Sequence, residues 1–209
     1  MAADGSRHWS EIAARLLPVA SQEDTLAPAN LRALEAYWGE SRLLRPAAVL
    51  VGLIERREGL HVLLTRRHDQ LTQHAGQISF PGGRIDPDDR GAVHAALRET
   101  HEETGIPPSR VQVLGRSDAI ATISQYRVEP VIARIDPDYE LNLQPGEVSA
   151  AFELPLARAA RDELWQPYPV QRPGLDIVMK ALDFQGHTIW GATAMILERL
   201  LVRLHGLPL

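Results

Sequence analysis

Gly83-Arg84-Ile85-Asp86-Pro87-Asp88-Asp89-Arg90-Gly91-Ala92-Val93-His94-Ala95-Ala96-Leu97-Arg98-Glu99-Thr100-His101-Glu102-Glu103-Thr104-Gly105-Ile106 sets three carboxylates on one helix face behind a loop that opens with glycine. At about 100° per residue, Val93, Ala96, Leu97, Thr100 and Thr104 cluster around one direction, and Ala92, Ala95, Glu99, Glu102 and Glu103 centre roughly 120° from it. The first stripe is expected to pack on a core and the second to face a cleft. Glu99 and Glu103 are an i,i+4 pair and Glu99 and Glu102 an i,i+3 pair; each like-charge pair costs an isolated helix about 0.2–0.5 kcal/mol. A divalent cation would more than offset that cost. Asp88 or Asp89 is expected to cap the start of the helix, and Gly105 followed by Pro107 and Pro108 to stop it. The competing reading is a solvated acidic face on a surface helix.

Just upstream, Leu63-Leu64-Thr65-Arg66-Arg67-His68-Asp69-Gln70-Leu71-Thr72-Gln73-His74-Ala75-Gly76-Gln77-Ile78-Ser79-Phe80-Pro81-Gly82-Gly83 reads as the end of a strand over His61 to Thr65. A loop carrying Arg66, Arg67, His68 and His74 follows, and the chain returns through a short strand to Phe80. Such a loop suits a polyanion, because arginine presents a planar fork to phosphate oxygens. Ordinary surface charge at a strand end is the alternative.

Two resemblances rest on these residues. Arg98-Glu99-x-x-Glu102-Glu103-x-Gly105-Ile106, preceded by Pro81-Gly82-Gly83, resembles the signature of the Nudix hydrolases, which cleave a nucleoside diphosphate linked to another group. The segment between the loop glycine and Arg98 is one residue longer than that pattern, so Asp89, counted from Gly83, or Arg90, counted back from Arg98, occupies the place of the pattern's glutamate. The run Leu63 to Gly83 resembles the element that marks the coenzyme A pyrophosphatase branch, with His68 in place of a small residue and Thr72 in place of a basic one.

The resemblance implies a Nudix-type α/β/α sandwich with a mixed β-sheet. It also implies Mg²⁺ or Mn²⁺ as cofactor, with Glu99 and Glu103 as metal ligands and Glu102 as a ligand or a water-orienting base. Arg98 would hold a glutamate by a salt bridge, and Glu147, in Pro145-Gly146-Glu147-Val148-Ser149, resembles a downstream glutamate that serves as base or outer ligand. Arg66, Arg67, His74, Gly82 and Gly83 would bind substrate. The implied reaction is hydrolysis of the diphosphate of coenzyme A or its derivatives to 3′,5′-ADP and 4′-phosphopantetheine. Other nucleoside diphosphate derivatives (NADH, a nucleotide sugar, a dinucleoside polyphosphate) are the alternative, and a nucleotide-sensing module without catalysis is a second. These residue types suit the chemistry. A diphosphate repels hydroxide and leaves as an anion, so cleavage needs charge neutralisation and a positioned water. Magnesium prefers oxygen ligands and keeps several waters, so a few carboxylates suffice to hold it.

Composition narrows the rest. The chain has 209 residues, 44% hydrophobic and 23% charged, enough for one sizeable domain with an extension. A formal net charge of −5 argues against broad nucleic-acid binding. The absence of cysteine excludes disulfides, thiolate catalysis and cysteine-ligated zinc, and the eight histidines form no His-Glu-x-x-His arrangement. With no apolar run of membrane-spanning length and a polar N-terminus, no membrane partner and a cytoplasmic location are expected.

Residues 1–45 read as a helical N-terminal extension, with helices over Trp9 to Val19 and Asn30 to Trp38, and 46–209 as the main domain. The extension is expected to pack as an appendage or to help a second subunit dock in a homodimer. Strands are expected over Ala47 to Ile54, His61 to Thr65, Val111 to Leu114 and Val128 to Ala133. Leu154 to Leu164 reads as helix, Pro167 to Gly174 as loop, Ile177 to Phe184 with His187 to Trp190 as a hairpin, and Thr193 to Leu204 as a final helix.

Overall fold

The apolar run Ala47 to Ile54 forms the middle of β1 (Arg45–Arg56), and its near-continuous burial places β1 at the centre of the main sheet. A tight turn after Arg56 returns the chain antiparallel as β2 (Gly59–Arg67). On its other side β1 pairs in parallel with β7 (Tyr126–Ile135). Short strands complete the order: β3 (Ile78–Ser79) on β2, β4 (Gly82–Arg84) on the first half of β1, β5 (Val111–Arg116) and β6 (Ile120–Ala121) on β7, and β8 (Val148–Pro155) on β2. The sheet is therefore mixed. The computed structural model describes residues 2–21, 26, 28–40, 43–71 and 74–209; Thr72 lies outside them.

Each face of the sheet carries helices. On one, α3 (Ala92–Thr104) buries Ala95 and Ala96 against Ala48, Leu50, Ile54, Val131 and Ala133. On the other, α1 (Ala2–Ala14) contributes Trp9 and Ile12, and α5 (Gly191–Arg203) contributes Ile196, Leu197 and Leu200, to a core with Val51, Val62, Leu64 and Ile132. The result is an α/β/α sandwich. The N-terminal segment also reaches the sheet itself, because Leu17 makes an antiparallel bridge to Arg116 on the β5 edge. A second helix, α2 (Pro28–Trp38), buries Leu34, and the Trp38 indole donates to the Ile123 carbonyl.

Several elements differ from the sequence reading. The first helix stops at Ala14 instead of running to Val19: Pro18 has no N–H to donate to the Ala14 carbonyl. Leu154 and Pro155 finish β8, so the expected helix shrinks to one turn, α4 (Leu156–Ala159). The expected loop from Pro167 is mostly a strand. There β9 (Trp165–Arg172), β10 (Leu175–Phe184) and β11 (His187–Ile189) form a second antiparallel sheet. Pro167 and Pro169 are tolerated because β9 is an edge strand and residues two apart aim their nitrogens the same way, out from β10.

The acidic helix departs too. Its buried positions are Ala95, Ala96, Thr100, Glu103 and Thr104, so the core stripe and the acidic stripe overlap. Neither Asp88 nor Asp89 caps it. Gly91 occupies the N-cap without a side-chain bond, and the Asp89 carboxylate is turned inward instead. Gly105 closes the other end in a left-handed conformation (φ 78°) that glycine adopts without strain.

Candidate active site

The strand β4 and the helix α3 meet at two glycines. Gly82 has φ 153°, and a Cβ there would run into the Ala48 carbonyl and the Val49 backbone. At Gly83 a Cβ would strike the Glu99 carboxylate. Glycine at both positions lets the helix carboxylates approach the strand backbone directly. The Gly82 N–H donates to Glu103 Oε2 at 3.3 Å, and Arg67 Nη1 from the end of β2 lies 3.7 Å from Glu103 Oε1.

Glu103 is only 2% exposed and has few compensating donors. Burial therefore pushes its pKa up to about 8, with Arg67 and the Gly82 N–H opposing the rise and Glu99 and Glu147 adding to it. Glu99 is also pushed up, first by burial, while Arg98 works the other way and Glu102 and Glu147 add repulsion. Two neighbouring carboxylates thus lack sufficient positive charge.

Arg98 shows the opposite situation. Its Nε and Nη2 donate to the two oxygens of Asp89 at 3.1 and 2.8 Å, its Nη1 to Glu99 and Glu102 at 3.0 Å each, and its Nη2 to the Arg84 carbonyl at 3.2 Å. Asp89 further accepts from the Asp86 N–H at 2.8 Å and pairs with His94 Nδ1 at 2.7 Å. Hydrogen bonding to Arg98 holds the Asp89 carboxyl well below the usual carboxylate range despite its burial. Arg98 in turn is locked in its charged form, chiefly by Asp89.

The remaining expected site residues take varied positions. Glu102 is exposed and turned toward Arg98. Glu147 is exposed at the entry to β8, where its carbonyl accepts from the His68 N–H at 2.8 Å; its charge is felt by both Glu99 and Glu103. The structure thus brings Glu99, Glu103, Glu147, Arg67, Gly82 and Gly83 around one place. Arg66 is tied to Asp69 at 2.6 Å and to Ser149 at 3.0 Å. His74 is exposed, with its Nδ1 2.7 Å from Gln77 Oε1. Sequence reading missed Asp89 and His94 as the anchor of Arg98. The only signal was that Asp89 is one of the two residues, with Arg90, that could take the place of the pattern's glutamate.

Among the described residues no three acidic or histidine side chains form a finished cation site. The donor set nevertheless fits a hard divalent cation. Glu99 and Glu103 present oxygens beside two glycines with no side chain in the way, and their mutual repulsion is only partly offset by Arg98 and Arg67. The described residues contain no helix long and apolar enough to cross a membrane.

Comparison with known proteins bears on the family. A family model described as the NUDIX domain matches residues 43–172. The chain is 40% identical over 164 residues to a protein of Klebsiella pneumoniae subsp. pneumoniae named uncharacterized Nudix hydrolase NudL, covering 78% of this chain and 85% of that one. The protein of the same name from Escherichia coli K12 is 39% identical over 160 residues, covering 77% and 83%. Among solved structures, a MutT/nudix family protein from Enterococcus faecalis superposes with a TM-score of 0.49 at 15% identity, covering 85% of this chain and 74% of that one.

Proposed function

The chain belongs to the Nudix family, whose enzymes hydrolyse nucleoside diphosphate derivatives, and we propose that its substrate is coenzyme A or a derivative, cut to 3′,5′-ADP and 4′-phosphopantetheine. The observation that carries the reaction is the under-neutralised pair Glu99 and Glu103 beneath Gly82 and Gly83. The substrate is supported by the run Leu63 to Gly83, which resembles the coenzyme A pyrophosphatase element.

Glu99 and Glu103, with Glu102 beside them, would hold Mg²⁺ or Mn²⁺. When bound, such an ion neutralises diphosphate charge and lowers the pKa of a coordinated water. The protein's own side chains do the rest. Arg98, held by Asp89, fixes the rotamers of Glu99 and Glu102. The Arg67 guanidinium, 3.7 Å from Glu103, would share its charge between that carboxylate and the diphosphate. Glu147 accepts the proton of the attacking water as its oxygen bonds to one phosphorus. The bridging P–O bond then breaks, and the second phosphate leaves as an anion.

Phosphorus-resolved product analysis with Mg²⁺ tests the reading, using Glu99→Gln as control. Release of 3′,5′-ADP by the native protein alone is expected. If coenzyme A proves the poorest substrate beside its 3′-dephospho form and NADH, the substrate assignment fails.

A further inference from the structure

Most arginines around the site are spent on carboxylates: Arg66 on Asp69, Arg67 on Glu103, Arg98 on Asp89, Arg116 on Glu129. Arg45 and Arg84 are different. Both are exposed, and neither has a carboxylate at ion-pair distance among the described residues. Instead both gather on one aromatic ring. The Arg45 guanidinium carbon lies 4.1 Å from the Tyr126 ring centroid and that of Arg84 5.8 Å from it, and Arg84 Nε donates to the Tyr126 hydroxyl at 2.9 Å.

The backbone makes this cluster rigid. Arg45 and Tyr126 are register partners on the parallel strands β1 and β7, and Arg84, on β4, pairs with Ala47 of β1. Arg45 Nη2 is also fixed on the Ser124 carbonyl at 2.8 Å. A guanidinium stacked on a ring keeps its in-plane N–H donors available, and that fork matches the oxygens of a phosphate. Neither Nη group of Arg84 has a hydrogen-bond partner among the described residues, so the cluster offers fixed, unspent donors and two adjacent positive charges. An anion placed between them would relieve their repulsion.

The cluster also adjoins the catalytic residues. Arg84 follows Gly83, the glycine against Glu99, and its carbonyl accepts from Arg98. We propose that Arg45, Arg84 and Tyr126 form a subsite for a phosphomonoester on the ribose of the substrate, separate from the diphosphate that is cleaved. The subsite deepens the coenzyme A reading and rests on it for its natural ligand, the 3′-phosphate.

Calorimetry with Mg²⁺ tests the subsite without turnover, using adenosine 3′,5′-bisphosphate, adenosine 2′,5′-bisphosphate and 5′-AMP. The 3′,5′-bisphosphate should bind about tenfold tighter than 5′-AMP, the gain of one charge-assisted anion contact. Separate Arg45→Gln and Arg84→Gln proteins, shown to be folded by thermal unfolding, should bring the ratio to within about twofold. Tyr126→Phe, which removes only the hydroxyl that orients Arg84, is the milder variant and should lower the ratio part of the way. Equal gains for both bisphosphates would support a subsite that reads the extra phosphate without its position. A wild-type ratio near one overturns the subsite, as does a ratio that survives both arginine substitutions. Failure of the coenzyme A reading is seen separately, as no 3′,5′-ADP released from coenzyme A.

Discussion

Asp89 and Glu103 are both carboxylates with almost fully buried side chains, placed within one loop and helix, and their environments could hardly differ more. Asp89 receives two arginine donors, a backbone N–H and a histidine, and stays ionised far below the ordinary range. Glu103 has one long backbone hydrogen bond and an arginine at 3.7 Å, and is pushed up to about 8. Burial is common to the two, so the difference is made by donors. One acid is completed by the fold and holds the structure. The other is left short of positive charge, as a group should be if its cation arrives later.

The largest effect that would sharpen the contrast is at Glu103. Replacing it with Gln should lower kcat by on the order of 10²–10³-fold, a magnitude typical of losing one preorganised charge-stabilising group. Near-native turnover at saturating Mg²⁺ would remove Glu103 from the metal site. Stability should move the other way. The folded pKa lies above the ordinary 4.5, so the metal-free native state binds the proton more tightly than the unfolded chain does. Its contribution is full below pH 4.5 and is lost as pH rises through about 8. With EDTA at pH 9, Glu103→Gln should therefore be more stable than wild type by roughly 2–4 kcal/mol, at about 1.4 kcal/mol per unit of pKa. Mg²⁺ should erase that advantage. Thermal melts against pH, with and without metal, give the comparison directly.

Asp89→Asn comes next, with the opposite signature. Arg98 would lose its main anion while remaining partly buried, and because its side chain keeps 25% exposure the loss should be about 2–3 kcal/mol, below that for a fully buried pair. Asp89 has a depressed pKa, so its contribution is present above the ordinary carboxylate range and is lost on acidification. The gap between wild type and Asp89→Asn should thus close toward low pH in denaturant titrations. A gap that widened there would mean that Asp89 is not the stabilising anion.

Gly83→Ala probes the approach between the two regions. The added methyl meets the Glu99 carboxylate and must displace it. Because Glu99 sits at a helix surface facing β4, the fold should survive, and the Mg²⁺ concentration for half-maximal activity should rise about tenfold, or 1.4 kcal/mol. An unchanged metal titration would show that Glu99 is not a ligand.

The sequence made part of this legible. β1 and β2 are long apolar runs, and α5 and α3 have strong helical spacing, so local pattern alone identifies them. The strand β8 was missed because its interior, Ser149 to Glu153, is half-polar and makes sense only when laid against β2. The strand β9 was missed because two prolines speak against a strand unless the edge is known. At the site, helical spacing put Glu99, Glu102 and Glu103 on one side of α3. It could not rank their burial, which depends on β4 lying across the helix. Nor could it assign partners: Asp89 reaches Arg98 across a loop, and Arg67 reaches Glu103 from another strand. Arg66, read as a phosphate contact, is held by Asp69 three residues on, a partner the sequence reading did not consider.

The smallest expected effect tests whether Asp89 is truly saturated. His94 Nδ1 lies 2.7 Å from Asp89 Oδ1, yet that oxygen also accepts from Arg98 Nε at 3.1 Å, and the imidazole is 41% exposed. Removing it leaves no buried acceptor without a donor. His94→Ala should therefore cost only about 0.5–1 kcal/mol, a fall in Tm of roughly 1–4 °C for a chain of this size. The Mg²⁺ dependence should not move, because Arg98 still holds Glu99 and Glu102. If His94→Ala instead weakened metal activation tenfold, the Asp89 cluster would be marginal and not complete. Arg98 would then be free to swing, and the division between a finished structural anion and an unfinished catalytic one would fail at its stronger half.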